Sequence, residues 1–176
     1  MITTLKKFKT LNEHYVNLFS KNDMKNYIDE IYEIMLKSYE SIGGFLTAKN
    51  KEHLLIKIDF FKLITRNGKI SAVIGYKLID GYRKSICGGT DGTEQGKIDF
   101  YKILKEDITI VDRKVYMEVS GAMEHLVVNK LGGKYVPNTL VSNILKKEIK
   151  PLSDGIHYER DIGGIPVIKA LVGNIL

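Results

Sequence analysis

Between Phe60 and Asp107 the spacing of apolar residues changes twice, and few folds accommodate that order. Phe60-Phe61-Lys62-Leu63-Ile64-Thr65 has the continuous β-branched and aromatic character of a buried strand. Arg66-Asn67-Gly68-Lys69 then carries the Asn-Gly signal of a tight hairpin. Ile70 to Ile79 reads as a second strand, Asp80-Gly81 as a second turn and Tyr82 to Cys87 as a third strand. Two hairpins in succession make an antiparallel meander. The third strand feeds a glycine- and threonine-rich loop, Gly88-Gly89-Thr90-Asp91-Gly92-Thr93-Glu94-Gln95-Gly96, and a helix follows to about Asp107. Ile98, Tyr101 and Leu104 mark one face of that helix, widened by Phe100 and Ile103.

Upstream, residues 1–22 are polar and read as an irregular extension, with Tyr15, Val16, Leu18 and Phe19 as a short packed segment. Asp23 is placed to cap a helix that runs to about Tyr39 on Tyr27, Ile28, Ile31, Met35 and Tyr39, with Gly43-Gly44 stopping it. Asn50 caps a shorter helix ending at Ile56. Downstream, Lys114 to Val119 is a fourth strand, which a helical crossover should bring parallel to the third or splayed from it. A helix begins at Ser120-Gly121, buries Ala122, Met123, Leu126, Val127 and Leu131, and ends at Gly132-Gly133. Asn138 caps another, to about Ile149, with Pro151 closing it. His157 to Ile162 and Pro166 to Val172 are strands around Gly163-Gly164. The expected fold is a single α/β (α+β) domain over 1–176, a mixed, mostly antiparallel sheet flanked by helices.

The 44% apolar and 27% charged residues fit an ordinary globular chain. A net charge of +6 admits a polyanionic partner, but the lysines are spread along the chain, as in Lys6-Lys7 and Lys146-Lys147, and read as a solvated surface. With no aromatic-basic cluster and no helix-turn-helix pattern, nucleic acid is not the expected partner. Cys87 is the sole cysteine, so no intramolecular disulfide or Cys-x-x-Cys metal site is available and a reducing, cytoplasmic compartment is expected. No apolar run is long enough to span a membrane. His14, His53, His125 and His157 lack ligand spacing, so no metal is expected.

A strand that turns through glycines into a helix presents unpaired amides at the positive end of the helix dipole, a good place for phosphate groups. Lys97, in the first helical turn, would reach a phosphate oxygen or simply be solvated. Asp91 would repel phosphate, so it reads as an Asx turn or helix cap. Gly92-x-x-x-Gly96-Lys97 is one residue short of a Walker A loop, and Ile98 stands where a Ser or Thr would hold magnesium. Glu118, ending the fourth strand, has the partner of a neighbouring lysine as its structural reading. Ser120 is a helix cap or a hydroxyl for a leaving group, and His125 is a structural residue or a proton carrier. Cys87 reads as a buried small hydrophobe rather than a nucleophile.

The order of elements resembles the GNAT acyltransferase superfamily. Ser38-Tyr39-Glu40-Ser41-Ile42-Gly43-Gly44, Gly89-Thr90-Asp91-Gly92-Thr93, Glu118-Val119-Ser120-Gly121-Ala122 and Tyr158-Glu159-Arg160-Asp161-Ile162-Gly163-Gly164 are similar to stretches of small GNAT-like proteins of tailed bacteriophages. The resemblance spans roughly residues 24 to 172. It implies that Asp91, Gly92, Thr93, Glu94, Gln95, Gly96 and Lys97 hold the diphosphate of acetyl-CoA or another acyl-CoA. Ile86, Cys87, Gly88 and Gly89 would flank the pantetheine arm, with Thr90 opening the diphosphate seat. Glu118, aided by Ser120 or His125, would manage the proton as an amine acceptor attacks the thioester. The chain departs from the family's Gln/Arg-x-x-Gly-x-Gly/Ala loop, placing Thr93 at the first position and Ile98 at the last, and has Val128 where the family often carries a tyrosine. A fold without chemistry, serving as a binding module for a host or virion protein, is the alternative that these departures suggest.

Overall fold

The computed structural model describes residues 13–42, 46–79, 81–109, 115–119, 121–146, 148–162 and 165–173. Gly43-Gly44, Asp80, Lys114, Ser120 and Gly163-Gly164, named above, lie outside them. The chain gathers into two compact units. One holds the described residues up to Tyr76 together with Cys87–Ile103, the other Lys77–Ile86 and the described residues from Leu104 onward. Among the described residues no helix is long and apolar enough to cross a membrane.

The first unit is built on three antiparallel strands, β1 (Glu13–Leu18), β2 (Phe60–Arg66) and β3 (Lys69–Ile79). β1 falls where an irregular extension was expected. Its residues pair with β2 from Glu13↔Arg66 to Leu18↔Phe61, satisfying the backbone of a segment whose outward side chains are polar. The Asn-Gly turn between β2 and β3 is present, with φ of 52° at Asn67 and 76° at Gly68. Both conformations match a primed hairpin turn, whose twist suits the flanking strands. Phe61, Leu63, Ile64, Val73, Ile74 and Tyr76 are buried, as expected of strands covered on both faces.

Helix α1 (Lys21–Ser41) starts two residues before the expected cap. Ser20 is the cap: its Oγ accepts from the Asp23 amide at 3.0 Å and donates to the Asp23 carboxylate at 2.6 Å, so Asp23 is the reciprocal partner three residues in. Met24, Ile28, Ile31, Ile34 and Met35 form its buried face. Asn50 caps α2 (Lys51–Lys57) as expected, accepting from the His53 amide at 2.8 Å.

β4 (Tyr82–Thr90) and β3 are successive hairpin strands, and the glycines Gly88 and Gly89 belong to β4, not to a loop. The connection to α3 (Glu94–Thr109) is therefore only Asp91-Gly92-Thr93. On α3 the expected apolar face is formed in part: Ile103 and Leu104 are buried, and Phe100 and Tyr101 half buried. At its start the face is displaced, Ile98 being half exposed while Gly96 and Asp99 are buried, with Asp107 and Ile108 buried further on. The displacement follows from Asp99, which has no exposed surface and forms a two-pronged pair with Arg66, Nε to Oδ2 at 2.6 Å and Nη2 to Oδ1 at 2.8 Å. Ser71 and Gln95 also donate to it, and Arg66 Nη2 and Lys102 reach Glu13 on β1.

In the second unit β4 pairs in parallel with β5 (Val115–Val119), and β5 pairs with β8 (Ile165–Gly173), which in turn pairs with β6 (Lys134–Tyr135) and β7 (Tyr158–Ile162), all antiparallel. Helix α4 (Gly121–Glu124) passes directly into a π-helical segment, His125–Lys130. That widening shifts the buried stripe: Val127 and Leu131 are buried, while Ala122 is exposed and Met123 and Leu126 are half buried. α5 (Asn138–Leu145) is shorter than expected, ending where Lys146 turns left-handed. Its first carbonyl acceptor is Pro137, while the Asn138 side chain donates to the Gly155 carbonyl, so Asn138 is not the cap. The expected fold class, a mixed and mostly antiparallel sheet flanked by helices, is what the chain forms.

Removing Asp99 leaves the part-buried Arg66 with Glu13 and takes the acceptor from Ser71 and Gln95, so Asp99→Ala should destabilise the protein by about 2 kcal/mol in denaturant unfolding. Burial works to raise the Asp99 carboxyl, but the bonds from Arg66, Ser71 and Gln95 prevail and hold it down at about 2. The linked stability is full above roughly pH 4 and disappears as pH falls through about 2, a loss that Asp99→Ala should not show.

Candidate functional site

The turn ahead of α3 is folded on its own side chains. Thr90 Oγ1 accepts from the Gly92 amide at 3.1 Å, Asp91 Oδ1 from the Thr93 amide at 2.9 Å and Thr93 Oγ1 from the Gly96 amide at 3.0 Å. The Asp91 amide donates to the Ser71 carbonyl. Asp91 thus makes the expected Asx turn, and Thr93 caps the helix. Of the amides expected to receive a diphosphate, those of Gly92, Thr93 and Gly96 are engaged, which leaves Glu94 and Gln95 in the first helical turn. Lys97 is exposed and pairs with Glu94 at 2.8 Å.

The glycines have intramolecular explanations. A Cβ on Gly88 would lie 2.9 Å from the Phe100 ring and 3.0 Å from the Val73 carbonyl; one on Gly89 would lie 3.2 Å from the α1 backbone at Ile34 and Met35. Since neighbours on a strand face opposite ways, α1 and α3 cover opposite faces of β4 within the first unit. Ser38 on α1 fastens the end of β4, accepting from the Thr90 amide at 3.0 Å and donating to the Thr90 carbonyl. A Cβ at Gly96 would meet Asp91 Oδ1 at 2.2 Å and the Ser71 carbonyl at 2.8 Å, so helix, turn and strand approach closely there. Gly92 faces open space, and its φ of 83° accounts for it. Ile86 is half buried, and Cys87 is buried with its thiol pushed up to about 12 by desolvation, an inert side chain as expected.

In the second unit the β4–β5 ladder comprises Arg83↔Val115 and Lys84↔Tyr116 among the described residues, although both strands continue. At that point Lys84 Nζ lies 2.7 Å from Glu118 Oε1, both side chains being under one-tenth exposed, and the Tyr158 hydroxyl donates to Glu118 Oε2 at 2.7 Å. Of the two readings of Glu118, the lysine pair is formed, with a phenol added. Tyr158 and Lys84 sit beside an apolar cluster of Tyr116, Val136, Val141 and Tyr158 itself, against which Ile79, Tyr82, Leu140 and Ile149 pack. Ser120 lies outside the described residues. His125 opens the π-helical segment, exposed, with Nδ1 2.8 Å from Asn129 Nδ2 on the same helix. Glu118 and His125 thus have separate partners.

A second polar group was not legible in the sequence. His157 has Nδ1 on Asp154 and Nε2 on Glu124, and Glu124 also receives the Tyr135 hydroxyl. Its members lie up to 33 residues apart, and only the adjoining Asp154-Gly155-Ile156-His157 turn gave any local signal.

No family model and no curated protein sequence matches this chain. Solved structures do. The ribosomal-protein-S5-alanine acetyltransferase of Vibrio fischeri has a TM-score of 0.59 at 11% identity, over 92% of this chain and 93% of its own. For the ribosomal-protein-S18-alanine N-acetyltransferase of Escherichia coli the values are 0.54, 13%, 93% and 95%. A GNAT family acetyltransferase from Elizabethkingia anophelis, solved with acetyl-CoA bound, gives 0.51, 11%, 94% and 99%. The structural neighbours of this chain are GNAT-family acetyltransferases, and the fold is theirs.

Proposed function

We propose that this protein is an acyl-CoA-dependent N-acyltransferase, moving an acetyl or similar acyl group from CoA to an amine by direct attack. The observation that carries the reading is the parallel β4–β5 pair whose ladder ends after Lys84↔Tyr116 while both strands run on. A strand that runs on beyond its ladder has backbone groups to offer, and the pantetheine arm of CoA, with its two amides, is an extended chain suited to pair with β4 there. The fold supports it, since one neighbour was solved with acetyl-CoA and another with CoA.

In this reading Ile86, Cys87, Gly88 and Gly89 flank the arm, while the Glu94 and Gln95 amides and Lys97 take the diphosphate at the start of α3. Glu118 receives the proton of the acceptor's ammonium, directly or through water. The freed amine attacks the thioester carbonyl carbon and the carbon–sulfur bond breaks. The proton that the attacking nitrogen sheds in becoming an amide passes to the departing thiolate, which leaves as CoA. Lys84 bonds one Glu118 oxygen and Tyr158 the other, and each carboxylate oxygen has a second lone pair that can take the arriving proton.

A second reading has its own observation. The turn amides are largely satisfied by Thr90, Asp91 and Thr93, and the Asp91 carboxylate occupies the helix end where a diphosphate would sit. A GNAT fold sealed in this way serves as a binding module, for a host or virion protein if the resemblance to phage sequences holds. Acetyl-CoA decides between them. At a hundred times its dissociation constant it should add about 2.7 kcal/mol, a rise in Tm of about 5 to 10 °C; no rise supports the module.

If the cofactor binds through the α3 start, Lys97→Glu should weaken it and Asp91→Asn, which keeps the Asx turn, should tighten it, each by about two- to fivefold in calorimetric Kd. Unchanged affinities in both would place the cofactor elsewhere. Glu118→Gln should retain the thermal shift and lower CoA release by about a hundredfold or more, assayed as free thiol from acetyl-CoA with a panel of peptide α-amines, lysine side chains and polyamines. Full turnover in that variant removes Glu118 from the mechanism.

A further inference from the structure

Two adjacent residues at the start of β7 belong to different networks. Tyr158 is buried and donates to Glu118. His157, just before it, is about one-fifth exposed and has a carboxylate on each ring nitrogen, Asp154 on Nδ1 and Glu124 on Nε2. An ionised carboxylate only accepts hydrogen bonds, so both nitrogens must carry protons and the ring is an imidazolium. A neutral ring has one N–H and must release one of its two partners.

The partners are themselves fixed. Asp154 Oδ1 accepts from the Ile156 and His157 amides, 2.9 Å each. These amides and the imidazole hold its carboxyl down at about 2, so it is ionised throughout the neutral range. Glu124 ends α4, where the helix widens, and also accepts from Tyr135 on β6, whose phenol it pushes up to about 12. The groups facing the imidazole are thus Glu124 from α4, Asp154 from its own turn and Tyr135 from β6, the last with its ring edge-on at 5.8 Å.

We propose that His157 is a positioning residue for Glu118: as an imidazolium it clasps the start of β7 between α4 and the Asp154 turn, and thereby holds the Tyr158 hydroxyl on the Glu118 carboxylate. Surface protonation is in this way transmitted through one peptide unit to a buried acid. The effect on turnover rests on the reading of Glu118 as the proton acceptor; the clasp itself does not.

The sign of the pH effect follows from the partners. Hydrogen bonds from the ring to Asp154 and Glu124 raise its pKa above the ordinary 6.5, outweighing burial. The stability it supplies is complete below about pH 6.5 and is lost as pH rises through the raised value. The test combines proton NMR titration of His157 with Tm measurements on wild type, His157→Gln, Tyr158→Phe and the double variant at about pH 6 and about pH 9. His157 should titrate above 6.5, and the Tm losses of the two single variants should be non-additive at the lower pH and additive at the higher. In thiol-release assays with the amine panel, His157→Gln should lower kcat by about two- to tenfold at the lower pH, leave KM for acetyl-CoA unchanged and flatten the pH profile. Titration at or below 6.5, or additive Tm losses at both pH values, overturns the proposal. Absence of acyl transfer with every amine would overturn the reading of Glu118 instead, with the titration and Tm arms still deciding the clasp.

Discussion

The first unit depends on the fork between Arg66 and Asp99. A buried carboxylate without partners would be untenable, and this one accepts from a guanidinium, a hydroxyl and an amide side chain at once. The partners lie on β2, β3 and α3, and Arg66 extends the set to Glu13 on β1. An apolar contact would let α3 slide or rotate on the strands; a two-pronged pair fits in one register only. Ser71 makes the point locally, since its hydroxyl serves Asp99 while its carbonyl receives the Asp91 amide at the head of the turn. The place where α3 begins is therefore fixed by the same residues that hold the hairpin.

That fork is also where sequence periodicity misled. A stripe drawn through Ile98, Tyr101 and Leu104 treats every Asp as solvent-facing, and Asp99 and Asp107 are both fully buried. Ile103 and Leu104 are buried as expected, and it is Ile98 that turns outward, with Asp99 taking the inward place beside it. The hairpins, by contrast, were legible because Asn67-Gly68 encodes a backbone conformation with little dependence on distant partners. Helix starts fall between these cases. Asn50 was recognisable as a cap, whereas Ser20 was passed over for Asp23, which bonds the Ser20 hydroxyl from the first turn.

The glycine-rich stretch shows why a ligand signal read from glycine alone is weak. Gly88 and Gly89 make room for a phenyl ring and a helix backbone on opposite faces of one strand, and Gly96 admits the approach of α3 to Ser71. Only Gly92 adopts a conformation that other residues resist. The same composition thus serves packing at three positions and a turn at one. What remains for an anion is the first-turn amides of α3 beside Lys97, a smaller seat than nine consecutive loop residues suggest.

In the second unit, chemistry that sequence reading kept separate converges on Glu118. Its position at the end of β5 was legible, and so was the prospect of a lysine partner, but not which lysine. Lys84 is the answer because parallel pairing sets it opposite Tyr116, two residues before Glu118 and on the same face of β5. Tyr158 completes the group from a strand 40 residues away. The carboxylate is held between an ammonium and a phenol beside the apolar cluster, and removing Glu118 takes away the shared acceptor of Lys84 and Tyr158 at once. His157, one residue before Tyr158 and paired with Asp154 and Glu124, adjoins this group along the chain, so the buried acid and the partly exposed imidazole share the start of β7.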